Sequence, residues 1–251
     1  MKKNIFQIII LNGRPAAGKS EVIDYLKNVP VTERIERFHI GEFEEIDDFP
    51  ILWEQFEDDD ILEEMGLPRL ISDPFFEYNG KKYEGHVFRE KWYWNFLIKK
   101  INFIYWKKTK ADPGYHDNRT AIIEFSRGSE HGGFRSAYDH LSDEILKKSA
   151  TLYIDVTWEE SLMKNRRRYN PDKPDSILEH GLEDLKLEKL YKGSDWAEFI
   201  SEDKDFLHVG DHKVPYGIFE NMPEKTDDPA KIGPHLEDVL NRVWKNYRES
   251  K

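Results

Sequence analysis

Two kinds of apolar pattern alternate along the chain from its first residues onward. Residues 5–11 form a short, continuous, β-branched run that ends at Asn12, which is typical of a strand buried on both faces of a parallel sheet. Residues 20–27 follow with apolar side chains at helical spacing, and Pro30 ends that helix. This opening predicts a strand, a loop and a helix, which together begin a βαβ unit.

The same alternation continues through the rest of the chain. Further strands are predicted at residues 37–40, 120–125, 152–156 and 206–209, and helices at residues 136–148, 158–169 and 235–247. Alternating strands and helices of these lengths are typical of an α/β fold with a parallel sheet and helices on both faces. We therefore expect a single three-layer domain.

The long interval between Gly41 and Arg119 exceeds what one crossover helix needs. We expect residues 42–118 to form an inserted substrate cap over the carboxyl edge of the sheet. Its charge is divided, since residues 44–73 contain twelve acidic side chains and one basic one, whereas residues 81–110 contain nine basic and two acidic ones. Either the two halves pack together, or each is simply a solvated helical face.

Residues 13–20 carry the clearest candidate chemistry. Their sequence, Gly-Arg-Pro-Ala-Ala-Gly-Lys-Ser, matches GxxxxGK(S/T) at each required position and lies between the predicted strand and helix. In such a phosphate loop, backbone N–H groups converge on phosphate oxygens, the lysine contacts the β- and γ-phosphates, and the serine hydroxyl holds Mg²⁺. The alternative is a tight glycine-rich turn with an incidental lysine. The expected nucleotide-binding residues are Gly13, Ala16, Ala17, Gly18, Lys19, Ser20 and Glu21.

Absent motifs narrow the class of phosphate-loop protein. The chain has no Asn-Lys-x-Asp tetrad of GTPases and no Leu-Ser-Gly-Gly-Gln signature of transporter ATPases, and it is short for an AAA-type module. What remains resembles the nucleoside and nucleotide kinase group. Residues 9–13 and 17–20 look particularly like the opening of chloramphenicol phosphotransferase-like kinases. The resemblance implies a three-layer P-loop NTPase fold and a kinase that uses ATP and Mg²⁺.

An acid and an arginine follow the predicted strand at residues 120–125. Deoxynucleoside and thymidylate kinases have such a pair at the end of the equivalent strand, where the acid works near the metal or as a base and the arginine binds phosphate. The resemblance assigns these roles to Glu124 and Arg127, and makes Glu124 a metal ligand with Ser20. The alternative is that Glu124 and Arg127 pair with each other at the sheet edge.

A lid is expected at residues 158–183. Thr157 opens the predicted helix with a capping box, and three consecutive arginines lie near its end. In the resembling kinases, lid arginines neutralise charge on the transferring phosphoryl group. Consecutive helical residues point about 100° apart, so at most two of the three can face one phosphate; Arg166 and Arg167 are the candidates, with Arg168 as the third member. A solvated basic helix end is the alternative.

The acceptor side has weaker signals. The resemblance implies an acid after the second strand that accepts a hydroxyl proton, and Glu42 is the first candidate, with Asp47 and Asp48 in reserve. An acid in a solvated loop is the alternative. Residues 210–216 are expected to wrap around the adenine through backbone contacts.

Two further groups of residues favour structural roles. The aromatic residues between Phe88 and Trp106 could stack on a ring, but a core helix is the favoured interpretation. His208 and His212 are spaced poorly for a metal site, so we assign no structural metal.

Composition excludes several classes of partner. The chain has 251 residues and a net charge of −11, which offers no basic surface for nucleic acid. It contains no cysteine, which excludes disulfides and thiolate chemistry. Its apolar runs are all shorter than the roughly 18 residues of a membrane span. We expect a cytoplasmic protein without a membrane partner.

Together these observations predict a kinase that transfers the γ-phosphoryl group of Mg·ATP to a small-molecule acceptor, with a nucleoside or nucleotide as the best candidate. Two alternatives stay open: an ATPase or nucleotide-dependent switch that acts on a protein partner, and a nucleotide sensor without turnover.

Overall fold

The computed structural model of the protein describes residues 4–168 and 182–250. Eight strands lie within these ranges: β1 (Ile8–Gly13), β2 (Glu42–Asp47), β3 (Ser72–Tyr78), β4 (Lys81–Phe88), β5 (Arg119–Phe125), β6 (Ser149–Asp155), β7 (Phe206–Val209) and β8 (His212–Glu220). Six of them form the main sheet in the order β2-β5-β1-β6-β8-β7, and β3 pairs with β4 in a separate hairpin. The first five strands of the main sheet are parallel, and β7 is antiparallel to β8.

Helices cover both faces of the sheet. They are α1 (Lys19–Asn28), α2 (Val31–Phe38), α3 (Asp48–Glu64), α4 (Tyr93–Ala111), α5 (Gly133–Asp139), α6 (Asp143–Lys148), α7 (Trp158–Arg168), α8 (Asp184–Tyr191), α9 (Trp196–Phe199) and α10 (Pro229–Glu249). Side chains alternate between the faces of β1, so Ile8 and Ile10 join the core under α3 to α6, while Ile9 and Leu11 join the core under α1, α2 and α10. The expected three-layer α/β fold is confirmed.

Most predicted elements are present. The strands predicted at residues 5–11, 120–125 and 152–156 are β1, β5 and β6, with boundaries that differ by a few residues. The strand at residues 206–209 is β7, although it is an antiparallel edge strand and not a buried parallel one. The last helix is α10, and Asp228 caps it by accepting a hydrogen bond from the Ala230 N–H group at 2.9 Å.

The prediction of a strand at residues 37–40 was wrong. Residues 37 and 38 end helix α2, and His39 closes that helix in the left-handed conformation, with φ of 57°. The second strand is β2, whose sequence Glu-Phe-Glu-Glu-Ile-Asp is mostly polar because the strand lies at the edge of the sheet. The expected insertion therefore starts at Asp48, after β2, and not at residue 42.

Strand β8 was missed because Pro215 and Gly217 interrupt its pattern. Gly217 leaves room for helix α10: a Cβ atom there would lie 2.6 Å from the Val243 side chain and 2.7 Å from that of Val239. The helix predicted at residues 136–148 is divided into α5 and α6, because Ser142 begins a new helix by accepting a hydrogen bond from the Ile145 N–H group.

The excursion between β2 and β5 consists of α3, the β3–β4 hairpin and α4. Oppositely charged side chains pair in and around it, including Lys108 with Glu44 at 2.6 Å and Arg89 with Asp73 at 2.8 Å. This supports the interpretation that the acidic and basic halves pack together. None of the helices in the described ranges combines the length and apolar character that crossing a bilayer requires.

Candidate active site

The phosphate loop joins the buried strand β1 to helix α1. Ala16 and Gly18 adopt positive φ angles of 56° and 114°, which turn the backbone sharply before the helix begins. A Cβ atom on Gly18 would lie 2.8 Å from the Thr226 side chain, so only glycine fits there. Two side chains fix the loop from outside: Ser161 donates to the Pro15 carbonyl and Asn221 to the Ala17 carbonyl, both at 2.8 Å. The loop is therefore held open in a single conformation.

Lys19 lies over this loop and is almost fully buried. Its Nζ atom donates to the Arg14 carbonyl at 3.2 Å and to the Ser126 hydroxyl at 2.9 Å, and it lies 3.7 Å from Glu124 Oε1. The ammonium group thus stands between the loop and the carboxyl end of β5. This is the position from which it can contact phosphates bound in the loop.

Two carboxylates lie side by side at the same edge of the sheet. Asp47 ends β2 and is the register partner of Glu124 on β5. Burial raises the pKa of Asp47, and the negative charges of Glu124 and Asp48 raise it further. Burial also raises the pKa of Glu124, although the Lys19 ammonium opposes that effect. Negative charge is therefore concentrated beside Lys19, where a cation would stabilise it.

Arg127 does not line the cavity that contains Lys19 and Glu124, and the prediction that it binds phosphate stays untested. Its side chain is only 1% exposed, and Nη1 contacts Asp48 Oδ2 at 2.6 Å. The same guanidinium group donates to the carbonyls of Trp94 and Ser126. The alternative pairing of Arg127 with Glu124 is also absent, because Asp48 takes that position. Arg127 instead connects the end of β5 to the first residue of α3 and to α4.

The three arginines of α7 differ in their surroundings, as the helical geometry predicts. Arg166 is 60% exposed and pairs with Asp184 at 2.7 Å, and Arg167 is 63% exposed. Arg168 is 31% exposed, approaches Glu21 to 3.4 Å, and lines the cavity that contains Lys19 and Glu124. Arg168 is thus the α7 arginine that lines the cavity with Lys19, whereas Arg166 lines an adjoining, mostly apolar cavity. The prediction that Arg166 and Arg167 face the phosphates stays untested.

The amino-terminal half of the expected lid is helix α7. Its capping residue is Thr157, whose hydroxyl accepts a hydrogen bond from the Glu160 N–H group at 3.2 Å. Of the lid predicted at residues 158–183, residues 169–181 lie outside the described ranges. The prediction of a complete lid stays untested.

Glu42, the first candidate for the base, lies at the end of β2 opposite Asp47, and its predicted role stays untested. It is the first residue of β2, its register partner Arg119 is the first residue of β5, and its side chain is 60% exposed and lies 3.5 Å from Arg34. Because β2 and β5 run parallel to β1, their first residues lie at the sheet edge opposite the phosphate loop. Asp47, one of the two reserve candidates, ends the same strand and lies at the correct edge. Glu42 was the first candidate because the sequence pattern predicted the second strand at residues 37–40, whereas β2 begins at Glu42 itself.

Residues 210–216 lie in the β7–β8 turn and at the start of β8, also opposite the phosphate loop, so the predicted adenine contact there was wrong. The segment that reaches the loop follows the end of β8. Asn221 contacts Ala17, as described above, and accepts hydrogen bonds from the Lys225 and Thr226 N–H groups. Its position directly after the last parallel strand was the sequence signal for this segment, but missing β8 concealed it.

Two adjoining cavities complete the site. The smaller, of about 150 Å³, is lined by charged residues that include Lys19, Asp47, Glu124 and Arg168, together with Ser20. The larger, of about 670 Å³, is mostly apolar. The two cavities share six lining residues, namely Phe49, Leu52, Trp94, Asn165, Leu182 and Tyr191. The phosphate loop therefore opens toward an apolar chamber.

The aromatic residues between Phe88 and Trp106 are divided between the core and the surface, as the favoured core-helix interpretation predicts for part of them. Tyr105 and Trp94 are buried in the core that contains α4, whereas Phe103 and Trp106 are exposed. Trp94 also lines both cavities. His208 pairs with Asp203 and His212 with Asp143, so the two histidines have separate partners.

The donor set beside the loop fits Mg²⁺. Ser20, Asp47 and Glu124 all line the smaller cavity and supply only oxygen ligands, which Mg²⁺ prefers. Within residues 4–168 and 182–250, no cluster of three or more His, Asp and Glu side chains could hold a metal alone. That is consistent with Mg²⁺ sites that use one or two carboxylates together with substrate phosphates and water.

Comparisons with known proteins give distant structural likenesses. No protein-family model and no curated protein matches the chain. The unliganded structure of a sugar kinase from Janibacter sp. HTCC2649 is similar over 94% of this chain and 95% of its own, with 14% identity and a TM-score of 0.42. A protein designated APE1195 is similar over 96% of this chain and 98% of its own, with 13% identity and a TM-score of 0.35.

The buried contact between Arg127 and Asp48 predicts a specific pattern of stability. Arg127→Met should lower the free energy of unfolding by about 3 kcal/mol or more, because it leaves the Asp48 carboxylate buried without a cation. Adding Asp48→Leu should restore most of that loss. Arg135→Met, at a half-exposed arginine, is the control and should change stability by less than about 0.5 kcal/mol. Urea unfolding followed by tryptophan fluorescence measures all four proteins; wild-type stability of Arg127→Met would contradict the structural role.

Proposed function

We propose that the protein is a small-molecule kinase that transfers the γ-phosphoryl group of Mg·ATP to an acceptor held in the larger cavity. The observation that carries the proposal is the predicted phosphate loop with Lys19, which faces two partly buried carboxylates across a charged cavity of about 150 Å³. That cavity adjoins an apolar chamber large enough for a small molecule. A nucleoside or nucleotide is the first acceptor to test.

The residues of the phosphate loop would bind the nucleotide. Backbone N–H groups of residues 16–21 would meet the phosphates at the positive end of α1, and Lys19 would contact the β- and γ-phosphates. Ser20 and Glu124 would hold Mg²⁺, which supplies charge neutralisation at the transferring group. Asn221 and Ser161 act as positioning residues, because they hold the loop carbonyls so that the N–H groups stay directed into the cavity.

Asp47 is the proposed general base. It lies at the phosphate-loop edge, beside Glu124, and follows directly into helix α3, whose Phe49 and Leu52 line both cavities. A hydroxyl group of an acceptor in the larger cavity would reach the phosphoryl group past this carboxylate. Asp47 would accept the hydroxyl proton as the oxygen attacks phosphorus and ADP leaves.

Arg168 is proposed to stabilise the charge that develops on the phosphoryl oxygens. It is the α7 arginine that lines the cavity with Lys19, and its contact with Glu21 brings α7 to the first turn of α1. Arg127 acts through Asp48 and Trp94 as a positioning residue. In this arrangement the cations contact the phosphates and the carboxylates contact the metal and the acceptor hydroxyl.

The first test is nucleotide binding and turnover by Lys19→Ala. At an ATP concentration about 100 times the dissociation constant, wild-type protein should gain about 5 °C in melting temperature, and the variant should lose most of that gain. ADP release should then be screened with nucleosides, nucleotides, sugars and antibiotics. Release that only a protein partner stimulates would favour a switch, and binding without release would favour a sensor. Full ATP stabilisation of Lys19→Ala would reject the phosphate-loop assignment.

Asp47→Asn tests the general base. Its kcat should fall by about 100-fold or more while ATP affinity stays within about tenfold, because the change removes a proton acceptor and keeps the size of the side chain. Glu42→Gln is the matched control on the same strand, and its kcat should equal that of the wild type. Steady-state ADP release with the identified acceptor measures both. Equal kcat values for the two variants would show that Asp47 is not the base.

Arg168→Ala tests the proposed phosphate-facing arginine. Its kcat should fall by about 100-fold or more with a smaller change in ATP affinity, since the guanidinium stabilises charge that grows in the transition state. Arg167→Ala, at the neighbouring exposed position, should be nearly silent. The measurement is steady-state turnover beside nucleotide calorimetry. Small, equal losses that fade with added salt would indicate a diffuse surface effect and would reject the specific role of Arg168.

A further inference from the structure

The larger cavity has an aromatic wall that suits a planar ring system. Its volume of about 670 Å³ lies within the range of small-molecule sites, and its lining is mostly apolar. The aromatic members of that lining come from α3, α4 and α8, and they are Phe49, Trp53, Phe56, Trp94 and Tyr191. Aromatic faces of this kind bind planar rings by stacking and by apolar contact.

The aromatic walls are held in place by contacts behind them. Trp94 stacks on the buried His131 ring with centroids 3.7 Å apart, and its carbonyl accepts a hydrogen bond from Arg127 at 3.0 Å. Phe56 stacks on His86 at 5.3 Å, and His86 contacts Asp60 at 2.9 Å. A wall with fixed side chains loses little conformational freedom when a ligand binds, which favours affinity.

Within the described ranges, the lysine and arginine side chains that line this apolar chamber are Arg166, which is paired with Asp184, and Lys186. Lys186, on α8, lines the larger cavity but not the smaller one, and its Nζ atom would lie 3.6 Å from a Cβ atom placed on Gly85 of β4. Within the described ranges it has no hydrogen bond or ion pair. Burial lowers the pKa of Lys186 to about 8, with only a partial opposing effect from Glu183. A ligand anion would restore the interactions that this ammonium group lost on leaving water.

Among the described residues that line the cavity, no carboxylate is paired with Lys186. Asp184 pairs with Arg166 at 2.7 Å, and His86 is engaged with Asp60. Glu84 and Glu183 also line the cavity, but neither forms a salt bridge with Lys186. Lys186 is therefore the cation left available to a ligand in this chamber.

We propose that the acceptor is an anionic ring compound, whose ring lies against Trp53, Phe56 and Trp94 and whose anionic group contacts Lys186. This inference rests on the proposed kinase function only where it identifies the ligand of the larger cavity as the phosphoryl acceptor. Because Lys186 lines the larger cavity alone and Lys19 the smaller one alone, the anionic group and the reacting group are at different ends of the molecule. The group that receives the phosphoryl is then a hydroxyl: its oxygen forms the new bond to phosphorus, the bond from phosphorus to the ADP oxygen breaks, and the proton passes to Asp47.

A matched pair of fluorescent probes tests the anion contact directly. 1-Anilino-8-naphthalenesulfonate carries a sulfonate on its rings, and N-phenyl-1-naphthylamine has the same rings without a charge. Lys186→Met should weaken binding of the sulfonate by about tenfold or more, since it removes a charge-assisted contact and keeps the length of the side chain. Binding of the neutral probe should stay within about twofold. Trp53→Ala should weaken both probes, because it removes part of the ring wall.

Lys192→Met is the control for general loss of positive charge. Lys192 follows α8, lies outside the cavity and pairs with Glu188 at 2.7 Å, so its variant should bind both probes like the wild type. Melting temperatures of all the variants show whether each is folded. Equal effects of Lys186→Met on the two probes, wild-type sulfonate binding by that variant, or no binding of either probe to the wild type would overturn the inference.

The outcomes also separate this inference from the kinase proposal. If Lys186→Met weakens only the sulfonate but no acceptor yields ADP, the anion site stands and the kinase proposal fails. If acceptors yield ADP and Lys186→Met leaves the kcat/KM of anionic ring acceptors unchanged, the kinase proposal stands and the anion site fails. If both hold, anionic ring acceptors should lose about tenfold or more in kcat/KM in Lys186→Met, mainly through KM.

Discussion

The buried contact between Arg127 and Asp48 is the interaction on which the rest of the site depends. Arg127 follows β5, Asp48 begins α3 directly after Asp47, and the same guanidinium group binds the carbonyl of Trp94 on α4. One side chain therefore connects the strand that carries Glu124, the helix that begins beside Asp47 and the wall shared by both cavities. A buried guanidinium with several acceptors is costly to rearrange, because each group left without its partner stays desolvated. This explains how a long excursion from the sheet can be placed accurately against the phosphate loop.

Charge in the site is organised by distance from the phosphate loop. Lys19 and Arg168 line the small cavity together with Asp47 and Glu124, so cations and carboxylates are concentrated where phosphate and metal would meet. The larger cavity is mostly apolar, and Lys186 is its one cation within the described ranges that has no partner. Although the chain has a net charge of −11, the cations that line the two cavities give the site local positive charge. Low polarity in the chamber strengthens each electrostatic contact made there.

The phosphate loop was predictable because its chemistry is local. Eight consecutive residues set its conformation, and a buried, β-branched strand before it is evident from composition alone. Strands β5 and β6 were found for the same reason, since both are apolar and buried. Strand β2 was misplaced because an edge strand is mostly polar, and β8 was missed because it contains a proline and a glycine. Each error moved a candidate residue: Glu42 was chosen over Asp47, and the adenine loop was placed at the wrong end of β8.

By itself, the sequence determined the class of fold and predicted the phosphate loop with Lys19 and Ser20 and the acid at Glu124, because each depends on neighbouring residues in one strand, loop or helix. Only the tertiary structure decided which residues share the cavity with them. It placed Asp47 beside Glu124, brought Arg168 to the smaller cavity and Arg166 to the larger one, and paired Arg127 with Asp48. Those choices depend on which strands are neighbours, on the rotation of one helix about its axis and on which of several acids a buried cation meets. All three are properties of packing between segments far apart in the chain.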